Sequence, residues 1–353
     1  MNPHPIEAGE ALESLDTFGA VLDARSPGEF ALDHLPAANN WAVLDDAERA
    51  RVGLLYKQSG AFEAKRVGAA LVAHNIAVHL QRDAMHWPRT LEPLVYCWRG
   101  GQRSGALAHV LAQVGWRVRL VHGGYKALRA ALVFQLAHHA QRARMVVLCG
   151  PTGCGKSRLL QALARAGAQV LDLERLAAHR GSVLGALPGV EQPSQKAFET
   201  AIWDALRGFD AQRTVWVESE SRRIGRLQVP DPVLERMRAA RCVRLYAGDA
   251  VRVRILREDY RALSDDTAAL QQRLLALRAL RGSAAVERWC ALSAQGELDT
   301  LIGELLAQHY DPSYRSSMER NFAGFAAAPT VEAADADGFD ALAAQLLRDD
   351  AVG

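Results

Sequence analysis

The chain has 353 residues, 49 % of them hydrophobic, and because single cores stop growing near roughly 250 to 300 residues, two domains are expected. The formal net charge of +2 is too small to announce a nucleic-acid-binding domain by itself. The start, Met1-Asn2-Pro3-His4-Pro5, has neither the basic opening nor the apolar run of a signal peptide, and no apolar stretch approaches the roughly 18 residues of a membrane span. These features imply a cytoplasmic chain with no membrane partner. Cys97, Cys149, Cys154, Cys242 and Cys290 are an odd number without a CxxC pair or a Cys/His cluster. They exclude a disulfide framework and a zinc site, which leaves any special cysteine as a candidate nucleophile.

Of the 42 basic residues only five are lysines, Lys57, Lys65, Lys126, Lys156 and Lys196. In so arginine-biased a chain a retained lysine marks a place where a compact ammonium matters. Arginines outnumber carboxylates between Arg213 and Glu258, and the reverse holds after Asn321; a solvated helical surface and a nucleic-acid-facing surface both fit that pattern.

In chain order, residues 19–25 read as a short buried strand broken by Ser26-Pro27-Gly28. Pro93-Leu94-Val95-Tyr96 is a second strand, and Leu107, Val110, Leu111 and Val114 then repeat at helical spacing. Cys97 therefore lies at a strand-to-helix corner. Residues 116–121 predict a third strand ended by His122-Gly123-Gly124, and residues 126–142 a helix. A new α/β unit begins at Met145-Val146-Val147-Leu148, passes a glycine-rich loop and enters a helix carrying Leu159, Leu160 and Leu163. Further strands are expected over 170–173, 214–217 and 242–246, then mostly helix over 256–306 and a last helix over 339–347. The fold class is α/β, with an N-terminal open α/β domain over 1–140, a parallel α/β domain with a helical C-terminal part over 141–325, and an acidic tail over 326–353.

Two loops carry chemistry. In Cys97-Trp98-Arg99-Gly100-Gly101-Gln102-Arg103-Ser104, loop N–H groups, the following helix dipole, Arg99 and Arg103 would favour a thiolate and hold an anion beside it. Two glycines let the backbone fold around that anion. The loop Gly150-Pro151-Thr152-Gly153-Cys154-Gly155-Lys156-Ser157 satisfies GxxxxGK[ST] between a strand and a helix. Gly150, Thr152, Gly153, Cys154, Gly155, Lys156 and Ser157 thus form a diphosphate cradle, with Ser157 able to hold Mg²⁺. No plain acidic Walker B residue follows; Glu218, Glu220 and Asp172 compete for the metal-side role. Arg222 and Arg223 are candidates for contacts to diphosphate or nucleic-acid phosphates, or for an exposed structural role.

Together with residues 22–30 and His34-Leu35-Pro36-Ala37-Ala38-Asn39, the Cys97 loop resembles the rhodanese superfamily, whose loop cysteine carries a persulfide or related chalcogen. Five residues separate Cys97 from Arg103, as in rhodanese-like phosphatases, rather than the four of small sulfurtransferases; spacing alone leaves phosphatase chemistry open. The two-domain order and the strings His179-Arg180-Gly181-Ser182, Gln192-Pro193-Ser194-Gln195 and Glu218 to Gly225 resemble the bacterial tRNA 2-selenouridine synthase family. That resemblance implies replacement of sulfur by selenium in wobble 2-thiouridine of tRNA. Selenophosphate, supplied by a selenophosphate-producing enzyme, is the implied donor, and geranyl diphosphate the implied co-substrate for an S-geranyl intermediate. It implies Cys97, Arg99 and Arg103 in selenium handling, with Cys97 either carrying selenium or organising its donor. The alternatives are an ATP-dependent sulfurtransferase or kinase-like enzyme, and a non-enzymatic regulatory module.

Overall fold

The computed structural model describes residues 2–352 except 183, 184, 188 and 336. The chain separates into two compact units, Met1–Leu136 with Glu199–Asp204, and Ala137–Phe198 with Ala205–Gly353. In chain order the first stretch carries β1 (His4–Ile6), α1 (Ala8–Glu13), β2 (Ala20–Asp23), α2 (Pro27–Leu32), β3 (Ala38–Asn40), α3 (Asp46–Gln58), α4 (Ala61–His79), β4 (Pro93–Tyr96), α5 (Gln102–Val114), β5 (Arg119–Val121) and α6 (Gly124–Arg142). Its five strands pair in parallel in the order β1-β5-β4-β2-β3.

Sheet and helices meet through Leu22 and Val95 on the strands and Leu107 and Leu111 on α5, all fully buried. Leu107 and Leu111 sit one helical turn apart, so one face of α5 covers the sheet. The strand expected over 116–121 is confined to Arg119–Val121. Trp116 and Val118 spend their backbone N–H groups on Leu111 and Trp116 carbonyls, and their side chains go into the core. The hairpin of α3 and α4 had no counterpart in the sequence reading. α3 buries no residue, so it has no apolar stripe to detect; its start is set by an Asp45–Glu48 capping box.

The rest of the chain carries β6 (Arg144–Cys149), α7 (Lys156–Arg165), β7 (Gln169–Leu171), α8 (Leu173–Leu176), α9 (Gln195–Arg207), β8 (Thr214–Glu218), β9 (Arg223–Ile224), β10 (Leu227–Gln228), α10 (Asp231–Arg238), β11 (Arg241–Tyr246), α11 (Asp249–Asp259), α12 (Arg261–Ser264), α13 (Thr267–Leu275), α14 (Arg278–Arg281), α15 (Ser283–Gln295), α16 (Leu298–Leu305), α17 (Asp311–Asn321), β12 (Thr330–Glu332) and α18 (Phe339–Val352). The second sheet is also parallel, in the order β12-β11-β6-β8-β7, with β9 and β10 forming a separate antiparallel hairpin. The strand expected over 170–173 ends at Leu171 because the Asp172 carboxylate accepts the Arg175 N–H and starts α8.

The segment 326–353, set apart by composition as an acidic tail, is structural. β12 extends the sheet beside β11, and Phe339, Leu342, Ala343 and Leu346 of α18 pack with Leu159, Leu160 and Leu163 of α7. Asp340 and Asp349 lie on the exposed side of α18 while its apolar residues face α7, an arrangement that composition alone does not reveal. The helices from α12 to α16 enclose a second core around Leu270, Leu274, Val286, Trp289, Leu301 and Leu305.

Candidate active sites

Each sheet places one glycine-rich loop at the carboxyl end of its central strand, flanked on both sides by parallel neighbours. In both sheets the strand order reverses at that strand, the place where open α/β sheets offer a crevice.

In the first unit β4 runs into buried Cys97. The Ser104 hydroxyl donates to the Cys97 Sγ at 3.0 Å. No side chain caps α5, and the backbone N–H groups of residues Arg99 to Ser104 find no acceptor among the described residues. Six consecutive free donors around a thiol make an anion cradle. The cradle is shaped from beneath: Tyr125 and Lys126 donate their N–H groups to the Cys97 and Trp98 carbonyls at 2.7 and 3.1 Å. Gly124 adopts φ +60°, and a Cβ there would lie 2.3 Å from the Cys97 oxygen and the Gly100 nitrogen.

The two arginines of this loop diverge. Arg99 is exposed and has no partner among the described residues, so its charge is available at the rim. Arg103 is half-buried and pairs with Glu29 at 2.7 Å. The Arg103 guanidinium, expected beside the anion, joins α5 to the capping box of α2. Burial works to raise the Glu29 carboxyl, but the Arg103 hydrogen bond, the Ser26 N–H and Arg49 outweigh it and hold it below the usual carboxylate range. Behind the loop, Arg25 and Asp23 form a fully buried pair at 2.6 Å, with Arg25 also donating to the Asp33 carbonyl and lying 3.9 Å over the Tyr125 ring. Tyr125 donates to Asp33 at 2.6 Å.

In the second unit β6 runs into Gly150. The N–H groups of Gly153, Gly155 and Ser157 have no acceptor among the described residues, and Gly153 and Gly155 take φ +81° and +90°. The Lys156 ammonium donates to the Gly150 carbonyl at 2.7 Å. Cys154 departs from its expected place in the cradle: its side chain is fully buried in the core beneath the loop, and its N–H bonds the Pro151 carbonyl. Arg252 secures the loop from outside, donating to the Thr152 carbonyl and bridging bidentately to Asp311.

A cavity of about 350 Å³ opens over this loop, lined by Lys156, Ser157, Glu174, Arg180, Glu220 and Tyr260 among others. Ser157 donates to Glu174 at 3.0 Å. Neither Asp172 nor Glu218 lines the cavity. Asp172 caps α8, and Glu218 is fully buried, accepting the Glu174 N–H with one carboxylate oxygen and leaving the other without a partner. Arg222 and Arg223 do not line it either; Arg222 pairs with Asp231, and Arg223 is exposed on β9.

Burial pushes Asp172, Glu174, Glu218 and Glu220 upward, and repulsion from neighbouring carboxylates adds to this for the three glutamates; Glu220 reaches about 8. Burial would lower Lys156, but Cys154 and these carboxylates raise it overall. One ammonium thus faces an excess of buried acid. Among the described residues no group of three or more His, Cys, Asp or Glu side chains is placed to hold a metal ion.

A second, narrower cavity shares Thr152, Leu256, Tyr260 and Tyr310 with the first. Its remaining wall is mainly aliphatic, with Leu263, Leu270, Leu301, Ile302 and Leu305 beside Arg257 and Ser264. Glu174, Arg180, Tyr260 and Tyr310 were all missed as site residues. His179-Arg180-Gly181-Ser182 was legible only as a family string, and the tyrosines, distant in sequence and inside helical runs, carried no local signal.

The comparisons with known proteins match this arrangement. Residues 7–131 match the model of the rhodanese-like domain and residues 143–286 that of the tRNA 2-selenouridine synthase AAA domain. A tRNA 2-selenouridine synthase of Alcanivorax borkumensis is 32 % identical over 85 % of this chain and 90 % of its own length. One of Hydrogenovibrio crunogenus is 34 % identical over 85 % of this chain and 89 % of its own. One of Nitrosomonas europaea is 36 % identical over 68 % of this chain, the match spanning 63 % of that relative's length.

Proposed function

The chain belongs to the tRNA 2-selenouridine synthase family, and we propose that it replaces the sulfur of wobble 2-thiouridine in tRNA by selenium from selenophosphate, after S-geranylation from geranyl diphosphate. Prenyl transfer belongs to the phosphate loop. The thiouridine sulfur bonds to the terminal allylic carbon, the carbon–oxygen bond to diphosphate breaks, and the N3 proton of the base is released. The N–H groups of Gly153, Gly155 and Ser157 and the Lys156 ammonium meet the charge that grows on the departing diphosphate. Lys156 exchanges its internal Gly150 carbonyl for the substrate's oxygens.

The observation that carries this reading is the aliphatic cavity sharing four residues with the phosphate-loop cavity. A diphosphate with an apolar tail matches a charged cradle continued by leucines. A nucleotide base and ribose would set most of their polar groups against a mainly leucine wall, which favours the apolar tail. Tyr260 and Tyr310, common to both cavities, are the aromatic residues that would meet allylic positive charge as it develops. Ser157 and Glu174, already hydrogen-bonded to each other, would hold Mg²⁺. The ion would draw its remaining oxygens from diphosphate and water and supply charge neutralisation.

Selenium exchange belongs to the Cys97 loop. Its six free N–H groups and the exposed Arg99 suit a small, highly charged anion such as selenophosphate. The selenium of selenophosphate bonds to C2 of the base as the alkylated sulfur leaves as geranylthiol, a departure the free thione does not permit, and water then cleaves the selenium–phosphorus bond to release phosphate and leave 2-selenouridine. The tRNA phosphates are assigned to exposed arginines such as Arg223; raising salt then weakens binding steeply. No helix among the described residues is long and apolar enough to cross a membrane.

Mass spectrometry of nucleosides from thiolated tRNA incubated with each variant tests the division of labour. Lys156→Ala is expected to lose geranylation and therefore selenation, whereas Cys97→Ser accumulates S-geranyl-2-thiouridine. Equal loss of geranylation in both variants overturns the assignment, and ATP turnover with no prenyl transfer favours the nucleotide-dependent alternative.

A further inference from the structure

We propose that the leucine wall contributed by α12, α13 and α16 limits donor length, making Leu263, Leu270, Leu301 and Leu305 the residues that select a ten-carbon prenyl chain over a fifteen-carbon one. The inference rests on reading the phosphate loop as a prenyl-diphosphate site. Its own support is the packing of the residues that line the aliphatic cavity.

These four leucines line the cavity but not the phosphate-loop cavity, so a chain anchored at Lys156 reaches them only after passing the shared residues Thr152, Leu256, Tyr260 and Tyr310. They are also members of the helical core around Trp289 and Leu274, and each is at least nine-tenths buried. A wall that is itself packed core does not retreat to admit a longer chain, because interiors are close-packed and transmit strain. Leu298 and Ile302 of α16, which also line the cavity, are only partly buried, and substitutions there alter the bore without opening the core. The lining thus combines rigid and adjustable residues. An apolar pocket discriminates a single methylene by roughly 10–200-fold, so a rigid lining is sufficient to reject five further carbons.

The test offers dimethylallyl, geranyl and farnesyl diphosphates in competition to the full-length protein with thiolated tRNA, and reads the ratio of S-prenyl nucleosides. Leu301→Ala and Leu305→Ala are expected to raise the farnesyl-to-geranyl ratio by on the order of tenfold. Ile302→Trp is expected to depress geranyl use while sparing dimethylallyl. Inhibition by inorganic diphosphate, unchanged in all three, shows that the fold and the cradle persist. If the wild-type protein uses geranyl diphosphate and every variant keeps the wild-type ratio within about twofold, the length-selecting wall is wrong and the donor reading stands. If the wild-type protein transfers no prenyl group from any of the three donors, the donor reading fails and this inference fails with it. Should the alanine variants misfold, Ile302→Trp alone decides: an unchanged dimethylallyl-to-geranyl ratio overturns the proposal.

Discussion

The Cys97 loop and the phosphate loop are built alike and surrounded differently. Each ends the central strand of a five-stranded parallel sheet, and each offers backbone N–H groups with no acceptor at a helix start. Around Cys97 the supporting contacts are backbone: Gly124 lies against the Cys97 carbonyl and the Gly100 nitrogen. Around Lys156 they are side chains: Phe339 lies beneath Gly155, Arg252 holds Thr152, and carboxylates and leucines line the cavities. Backbone walls make a shallow, fixed receptor for a compact anion. Side-chain walls make a deep receptor whose specificity is adjustable.

The largest expected effect separates the two loops by chemistry. Lys156→Ala should lower S-geranylation by about 10²- to 10³-fold, the scale of removing one preorganised group that stabilises transition-state charge; rates measured on thiolated tRNA check it. Cys97→Ser should lower selenation by at least about tenfold while leaving geranylation within about twofold. A parallel fall in both steps would show that the loops do not act separately.

The contrast between backbone and side-chain support is sharpened by two glycine substitutions. Both Gly124 and Gly155 adopt left-handed φ values, so alanine costs about 1–2 kcal/mol at either from backbone conformation. At Gly124 the new methyl also meets backbone atoms at 2.3 Å, whereas at Gly155 it meets the Phe339 ring at 2.2 Å. Urea unfolding should show Gly124→Ala as the more destabilising change, and Phe339→Leu should recover part of the Gly155→Ala loss. Equal costs without recovery would remove the distinction.

The smallest effect is a pH dependence. Glu29 has a lowered carboxyl pKa in the folded protein, so its pairing with Arg103 adds stability above its ordinary value of 4.5, and this is lost as pH falls through the depressed folded value. Glu29→Gln should flatten acid unfolding in that range. The phosphate-loop carboxyls have the opposite sign. With Glu220 raised to about 8, folded protein binds more protons than unfolded, and stability declines as pH rises from about 4.5 toward 8. Thermal melts of Glu220→Gln across that interval should show a shallower decline.

The amino-acid sequence was sufficient for both loops, the parallel α/β class and most central strands, because strand-to-helix corners with glycines at set spacing are local events. Cys97 and Lys156 were legible for that reason. Edge strands β1, β3 and β12 span three residues each and carry no usable pattern, while α3 buries nothing and shows no stripe. The role of α18 depended on which face of an acidic helix met α7. Tertiary structure alone turned Arg103 toward Glu29, put Cys154 beneath its loop, and set Arg222 and Arg223 outside the cavity while bringing Glu174 to Ser157. It also joined a leucine-lined cavity, drawn from helices more than a hundred residues downstream, to the phosphate loop. Local geometry follows from spacing along the chain; which charges pair and which apolar faces meet depends on contacts between distant segments, and only the folded chain makes those.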